Sequence, residues 1–499
     1  VFRGLRHTAA ALPSLLLILT ACSSSSTPVV DQTLLAPAAH AAPGITAKPM
    51  APGYLRGNAS GLRLWGSQPS NLAIAALDAG GKPLTGNGAP AIAVATQDRS
   101  RLTVTPVRNA YGTFTLQAAL TAGTSPCSGC RVVRPGTVML DVSVTPKNGI
   151  ARHFPIAVDI AHKIVAISLN PLPNPSLGGS DAVLQYYDDN VKPSVIWDDV
   201  YLHNANSFPN VSGLAFGADD SLYVANSGMY GYPGTVTQYA AQSTDPTPIK
   251  TFANENLRSP AGVALDKTGN VYVADNGYET VTRFPVSGSP VTIHPGWEAG
   301  ADVVGVAVDS SRGYLYVAMS GVGKYNPPNR KNVGRLLTLP LDFGPHAKPI
   351  VSIESSHNNG VNEPYGIAVD PMNRLFAVND YVSIVEGPPG PGPMHSTMTR
   401  YDNGLSSPDA LPDATSSASL KWTLGVASDS TGTIYVSNDA PPNKKGNSGR
   451  ISLFEYDGGF ASKTRPSKKI DLTPGMPKAY AGYYFNIQGV AVDPSPLDN

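Results

Sequence analysis

Charge is scarce in this chain. Of 499 residues, 36 are Lys or Arg and 36 are Asp or Glu, so the formal net charge is zero. A nucleic-acid protein shows a basic excess or a basic stripe, and neither is present, which removes nucleic acid from the expected partners. Cysteine is scarcer still, with three residues. Cys127 and Cys130 in "PCSGC" have no second pair and no neighbouring His, so they cannot close a zinc site. Long stretches with helical periodicity and caps are missing too. No G-x-S-x-G, no Walker A loop and no G-x-G-x-x-G after a strand occurs. His203, His294, His357 and His395 are scattered, with no H-x-H or H-E-x-x-H spacing. Catalytic residues therefore remain unassigned.

What the chain has is Gly and Pro, 49 and 46 residues, between many short Val/Ala/Tyr/Thr runs. That composition predicts an all-β protein rich in turns. Its length exceeds one ordinary core, so two or more domains are expected.

The N-terminus carries Arg3 and Arg6, then the apolar run "AAALPSLLLIL" from Ala9 to Leu19, too short for a comfortable membrane span. "LTAC" ends at Cys22 and "SSSSTP" follows. This resembles a bacterial lipoprotein signal. The resemblance implies cleavage of residues 1–21, lipidation at Cys22, export, and anchoring to the cell membrane or outer membrane facing periplasm or exterior. Residues 22–56, rich in Ser, Ala and Pro, read as a flexible tether. In an oxidising compartment a local disulfide between Cys127 and Cys130 is the default. The motif lies between two strand-like runs, whereas a redox pair needs a helix N-terminus. Free thiols stay open as the other reading.

Residues 57–170 hold strand-like runs with period-2 alternation, among them "LRLWG", "AIAVATQD", "VMLDVSVTP" and "KIVAISL". They predict a β-sandwich of seven or eight strands. "LAIAALDAGGKPLTG" resembles bacterial Ig-like domains of surface proteins, which implies a spacer. "NPLPNPSLGG" marks a linker over 171–180.

Past residue 180 the chain repeats itself. "VSGLAFGADDSLYVANSG" from Val211, "PAGVALDKTGNVYVADNG" from Pro260 and "VVGVAVDSSRGYLYVAMSG" from Val303 align with "PYGIAVDPMNRLFAVNDY" from Pro364, "TLGVASDSTGTIYVSNDA" from Thr423 and "IQGVAVDPSPLDN" from Ile487. Each begins strand, tight turn, strand, and a second strand pair follows most of them. Four strands per unit is the signature of a propeller blade. The motif resembles NHL repeats, and the resemblance implies a six-bladed NHL-like β-propeller over 181–499. One blade would mix both termini, pairing "QGVAVD" with "AVLQYYDD" and "PSVIWDD". In that arrangement "QGVAVD" lacks a second strand, so the expectation is a three-stranded blade or a truncated chain. The expected fold is thus all-β: an N-terminal Ig-like β-sandwich followed by a six-bladed NHL-like β-propeller.

The repeated Asp266, Asp309, Asp370, Asp429 and Asp493 end a first strand before a turn, where a carboxylate accepts backbone N–H groups. "DKTGNVYVAD" fails as a calcium loop, since its Gly and its later apolar run fall in the wrong places. A second polar set follows the second strands or enters the blades: Asn226, Asp275, Glu363, Asn379, Asp380, Asn438, Asp439 and Gln488. These are expected to ring one mouth of the central channel, on the face where the long inserted loops of residues 321–332, 382–396 and 441–448 gather. The expected function is a lipid-anchored binding or interaction protein that uses this face for a protein, glycan or small-molecule ligand, with no cofactor. The alternative is a metal-dependent hydrolase or lyase of the gluconolactonase or NHL-lyase type, with a divalent cation such as calcium in the channel. The oxygen donors of Glu363, Asn226, Asn379, Asp275 and Asp439 suit such a hard cation.

Overall fold

The computed structural model describes residues 17–19, 45–50, 55–58, 61–65, 69–77, 82–85, 89–108, 112–119, 121–122, 131–132, 136–171, 181–187, 192–198, 210–228, 233–295, 302–321, 334–354, 360–381, 395–416, 420–440, 450–458, 460–461, 464–473 and 485–493. Cys22, Cys127 and Cys130 lie outside these residues, and so do most of the three inserted loops. The chain divides into two compact units, with the change of unit between His162 and Lys163.

The first unit contains two five-stranded sheets. One joins Leu55–Asn58, Gly61–Trp65, Arg152–Ala161, Gly136–Thr145 and Ala91–Thr96; the other joins Leu17–Leu19, Ile45–Met50, Ser70–Ala76, Thr113–Ala118 and Leu102–Pro106. Alternation buries every second residue, as in Ser70–Ala76. Leu62, Leu72, Leu116, Leu140 and Val158, from both sheets, meet in one core. Each such side chain contributes about 1.5–3 kcal/mol through removal from water. Three strands fall within or overlap the residues expected as leader and tether. Leu17–Leu19 pairs with Ile45–Met50, and Ile45–Met50 pairs in turn with Ser70–Ala76. Leu55–Asn58 pairs with Gly61–Trp65.

The second unit consists of six four-stranded antiparallel sheets. The first is Asn210–Phe216, Leu222–Ser227, Thr235–Tyr239 and Lys250–Ala253, and the second is Pro260–Leu265, Val271–Asp275, Thr280–Phe284 and Val291–Ile293. Asp302–Asp309, Tyr314–Ser320, Arg335–Pro340 and Val351–Glu354 form the third; Pro364–Val369, Leu375–Tyr381, His395–Tyr401 and Ala414–Thr415 form the fourth. The fifth holds Val426–Ser428, Ile434–Ala440, Arg450–Tyr456 and Lys468–Asp471. Their inner strands neighbour one another in a closed cycle, so the unit is a six-bladed β-propeller. Apolar clusters fill the space between successive blades. Tyr223, Phe252, Val263 and Phe284 lie between the first two, and Phe376, Met398, Val426 and Phe454 between the fourth and fifth.

The sixth blade corrects two expectations. Its strands, from inside out, are Phe485–Val492, Ile164–Pro171, Ala182–Tyr187 and Val195–Asp198. The second strand that "QGVAVD" lacked is "IVAISLNP", which the sequence reading placed in the sandwich. The blade is four-stranded, and the domain boundary falls before Lys163 rather than at 171–180. The reason is burial on both faces. Ala166, Ile167, Ser168 and Leu169 are all fully buried, as a strand between two others must be, while an edge strand of a sandwich would show one wet face. Ring closure is then sealed by contacts from the sixth blade to the first. Ser168 accepts the Gly489 N–H at 2.8 Å and donates to the Ser212 carbonyl. Trp197 stacks on Tyr239 with centroids 4.6 Å apart and donates to the Thr244 carbonyl.

Candidate functional site

The inner strands meet around a cavity of ≈ 270 Å³ on the propeller axis. Its shape follows from one repeated feature, the shared glycine. Five of the inner strands shift register beside it, between Val211 and Leu214, Pro260 and Gly262, Val303 and Gly305, Pro364 and Ile367, and Ile487 and Gly489. Such a bulge kinks the strand and re-aims its side chains. The glycine is required because the next blade's backbone presses on it. A Cβ on Gly305 would stand 2.3 Å from the Tyr365 carbonyl oxygen, and one on Gly489 would stand 2.5 Å from that of Ser212. Gly213, Gly262, Gly305, Gly366, Gly425 and Gly489 thus form a ring of backbone-to-backbone contacts around the axis.

Two rings of side chains flank the glycines and line the cavity. The residues before them are Ser212, Ala261, Val304, Tyr365, Leu424 and Gln488. The residues after them are Leu214, Val263, Val306, Ile367, Val426 and Val490, each still 5–7% exposed. Ser227, Ser259 and Asn276 add hydroxyl and amide groups. Ser227 donates to the Pro260 carbonyl at 3.1 Å and pairs with Ser212 at 3.3 Å. Among the described residues, no Asp, Glu, Lys, Arg or His lines the cavity.

Of the eight expected mouth residues, Gln488 lines this cavity, and Asn226, Asp275, Glu363, Asn379, Asn438 and Asp439 do not. Asp275 is fully buried. Its carboxylate accepts the backbone N–H groups of Arg258, Ser259 and Tyr278 at 2.7–2.8 Å. Burial pushes its pKa up, and these three amides only partly offset that. Asn379 and Asn438 do the same work, accepting the N–H of Asn362 and of Lys421. Each clamps the connection that feeds its own blade. Asn226 donates to the Val224 carbonyl and to Thr237, and Asp439 accepts the Ile487 N–H. Glu363 is 3% exposed with φ of 50°, packed so tightly that a Cβ on Gly334 would lie 2.7 Å from its nitrogen. The side chain of Asp380 lies outside the described residues.

The expectation was one residue out of step. Along a strand end, successive side chains face opposite ways. Asn226 and Asp275 turn into the blade, while Ser227 and Asn276 face the cavity. Of the ring before the glycines only Gln488 was expected, although the alignment of repeats carried a signal for the rest. That column reads Ser, Ala, Val, Tyr, Leu, Gln before a glycine that does not vary.

At the other end of the inner hairpins, the repeated aspartates take the expected turn role. Asp266 accepts the N–H of Thr268 and Asn270, Asp370 those of Met372 and Arg374, and Asp429 those of Thr431 and Thr433. Tyr272 and Tyr435 in the second strands donate to Asp266 and Asp429. For Asp266 and Asp309 desolvation pulls the pKa upward, but hydrogen bonds from Thr268 and Asn270, or from Ser311 and Arg312, outweigh it, and both carboxyls sit below the usual value.

A divalent cation in the channel requires several convergent oxygen or nitrogen donors. The cavity wall does not offer them, because the oxygens of Asp275 are turned to backbone amides. Among the described residues no group of three or more His, Cys, Asp or Glu could hold a metal ion.

The NHL repeat pattern matches residues 257–284, which include the inner hairpin of the second blade. No curated protein matches the chain. Among solved structures, a protein of unknown function from Bacteroides caccae is 10% identical with a TM-score of 0.42, covering 67% of this chain and 99% of its own. A gluconolactonase from Xanthomonas campestris is 14% identical with a TM-score of 0.33, covering 60% and 85%. A virginiamycin B lyase from Staphylococcus aureus, solved with quinupristin, is 9% identical with a TM-score of 0.27, covering 74% and 88%.

Proposed function

We propose that the chain is a binding module of the cell envelope, lipid-anchored at Cys22, whose propeller holds a ligand at the axial cavity without performing chemistry on it. One observation carries this reading: among the described residues the cavity is walled by hydroxyl, amide, aromatic and aliphatic groups with no charged side chain. Such a wall supplies hydrogen bonds and apolar contact, the usual means of holding a small ligand. Among those residues it supplies no carboxylate or imidazole to act as general base or to anchor a cation, which a hydrolase or lyase reading needs at the same place.

The test is a thermal-shift screen of the purified chain against a library of cell-envelope metabolites, run in parallel with Ala261→Phe. Ala261 lines the cavity, and a phenyl ring there fills it. A ligand that raises the melting temperature of the parent but not of the blocked variant supports the reading. Turnover of such a ligand, or shifts that survive the block, would refute it. For the anchor, Cys22→Ser should move the protein from the membrane to the soluble fraction.

A further inference from the structure

The six positions before the glycines are structurally equivalent, yet their side chains are not. Blade-to-blade packing at each step is done by the glycine and the neighbouring backbone. The residue before each glycine lines the cavity, and Val304 and Tyr365 also reach the apolar core between the third and fourth blades. Around the ring the identities segregate. Val304, Tyr365 and Leu424 come from three consecutive blades, the third to the fifth. Gln488 and Ser212 come from the sixth and first blades, which are neighbours because Gly489 packs on the Ser212 carbonyl. On the same side, Ser227, Ser259 and Asn276 extend the polar arc into the second blade. The hydrogen bonds from Ser212 to Ser227 and from Ser227 to the Pro260 carbonyl hold that arc in place. Next to both arcs lies the all-aliphatic ring of Leu214, Val263, Val306, Ile367, Val426 and Val490.

We propose, on the footing of the binding reading above, that the cavity selects an uncharged amphipathic group, with its apolar side on Val304, Tyr365 and Leu424 and its amide or hydroxyl on Gln488 and Ser212. A ligand charge placed here would lose hydration with no opposite charge among the described wall residues to replace it. A neutral amide meets hydrogen-bond partners on one side and aliphatic surface on the other. The size sets a further limit. At ≈ 270 Å³ the cavity is below the roughly 300–1,000 Å³ of pockets that engulf drug-sized ligands. It therefore takes one ring-sized group, either a small molecule or the uncharged end of a longer one.

A matched series separates charge from shape. Phenylacetamide, phenylacetate and phenethylammonium share a skeleton and differ in charge. Their dissociation constants are measured by saturation-transfer NMR titration against the whole chain. The amide is expected to bind about tenfold or more tightly than either ion, a difference of about 1.4 kcal/mol. Its signal should vanish in Ala261→Phe and weaken about threefold or more in Leu424→Asn. Gln488→Glu places one carboxylate in the wall and should make phenethylammonium the preferred member, a gain that a misfolded variant cannot mimic. Equal or tighter binding of either ion to the parent chain would overturn the inference while leaving a binding module in place. Amide binding that survives Ala261→Phe would overturn it as well, since the amide would then sit elsewhere. If no member of the series binds, the inference fails, and the library screen decides separately whether the binding reading fails with it.

Discussion

Adding one methyl group to the glycine ring should grade the stability of the propeller by how closely the next blade approaches. On Gly305 the new Cβ would stand 2.3 Å from the Tyr365 carbonyl oxygen and 3.3 Å from Ala318 Cβ; on Gly366 it would stand 2.3 Å from the Leu424 carbonyl oxygen. Non-bonded carbon and oxygen settle at about 3.5 Å, so the two blades must part by about 1 Å. The obstacle is backbone on both sides, so no side chain can swing away. Closure fixes each blade between two others, so the displacement strains the whole ring. Overpacking of this kind costs about 1–3 kcal/mol, and backbone-to-backbone clash belongs at or beyond the upper end. Gly262 is looser, with Val304 oxygen at 2.9 Å, and its Ala variant should lose about 1–2 kcal/mol. Gly344 has nothing within 4 Å of its Cβ position, so Gly344→Ala should stay within about 0.5 kcal/mol of the parent. Urea unfolding of the four variants, followed by tyrosine and tryptophan fluorescence, gives the order Gly305→Ala and Gly366→Ala below Gly262→Ala below Gly344→Ala. A Gly305→Ala variant as stable as the parent, or as stable as Gly344→Ala, would refute the packing argument.

Other perturbations test the clamps and the pH response. Asp275→Ala strands three amide groups, and at about 1–3 kcal/mol for each the loss should reach several kcal/mol; Asp275→Asn, which copies Asn379 and Asn438, should lose much less at neutral pH. Because burial raises the Asp275 pKa above 3.8, its contribution is greatest in acid and declines as pH rises, so the parent should gain on Asp275→Asn in chemical denaturation as pH falls toward 4. Asp266 and Asp309 are shifted the opposite way, so the stability they add is present above 3.8 and lost as pH falls below it; Asp309→Asn should flatten the acid limb of a stability-versus-pH curve. Ser168→Ala removes the hydroxyl that joins Gly489 to Ser212 and should cost about 1–3 kcal/mol in the same assay. Burial, the main cause, raises Tyr316, Tyr401 and Tyr456 to about 12, so stability should fall as pH climbs past 10, and phenolate absorbance for these rings should appear together with unfolding.

The repeat made the propeller readable, and the places where reading failed share a cause. Glycine and turn aspartate recur in register, so five blades could be aligned by eye. "IVAISLNP" carries no repeat signature, because in the sixth blade the second strand is supplied from far upstream and ends without the polar residue that follows the other second strands. Alternation alone marks it as a strand and says nothing of its sheet, since strand pairing at a separation of more than 300 residues leaves no local trace. Its continuous burial is the one feature that sets it apart from a sandwich strand, and "IVAISL" does contain a fully apolar start of that sort.

The site shows the same division between what recurrence reveals and what it hides. Asp275 attracted attention because it was expected at the channel mouth and the position recurs as Asn elsewhere. Recurrence, however, is what packing produces: Asp275, Asn379 and Asn438 recur because every blade must hold its incoming connection. A ligand site in a pseudo-symmetric ring breaks the symmetry, so it is to be sought in a column that lines the cavity and varies from blade to blade. In "PAGVALD" that column is Ala261, and in its counterparts it is Ser212, Val304, Tyr365, Leu424 and Gln488. The invariant glycine beside each of them brings neighbouring backbones into contact, while the residue before it differs in size and polarity around the ring.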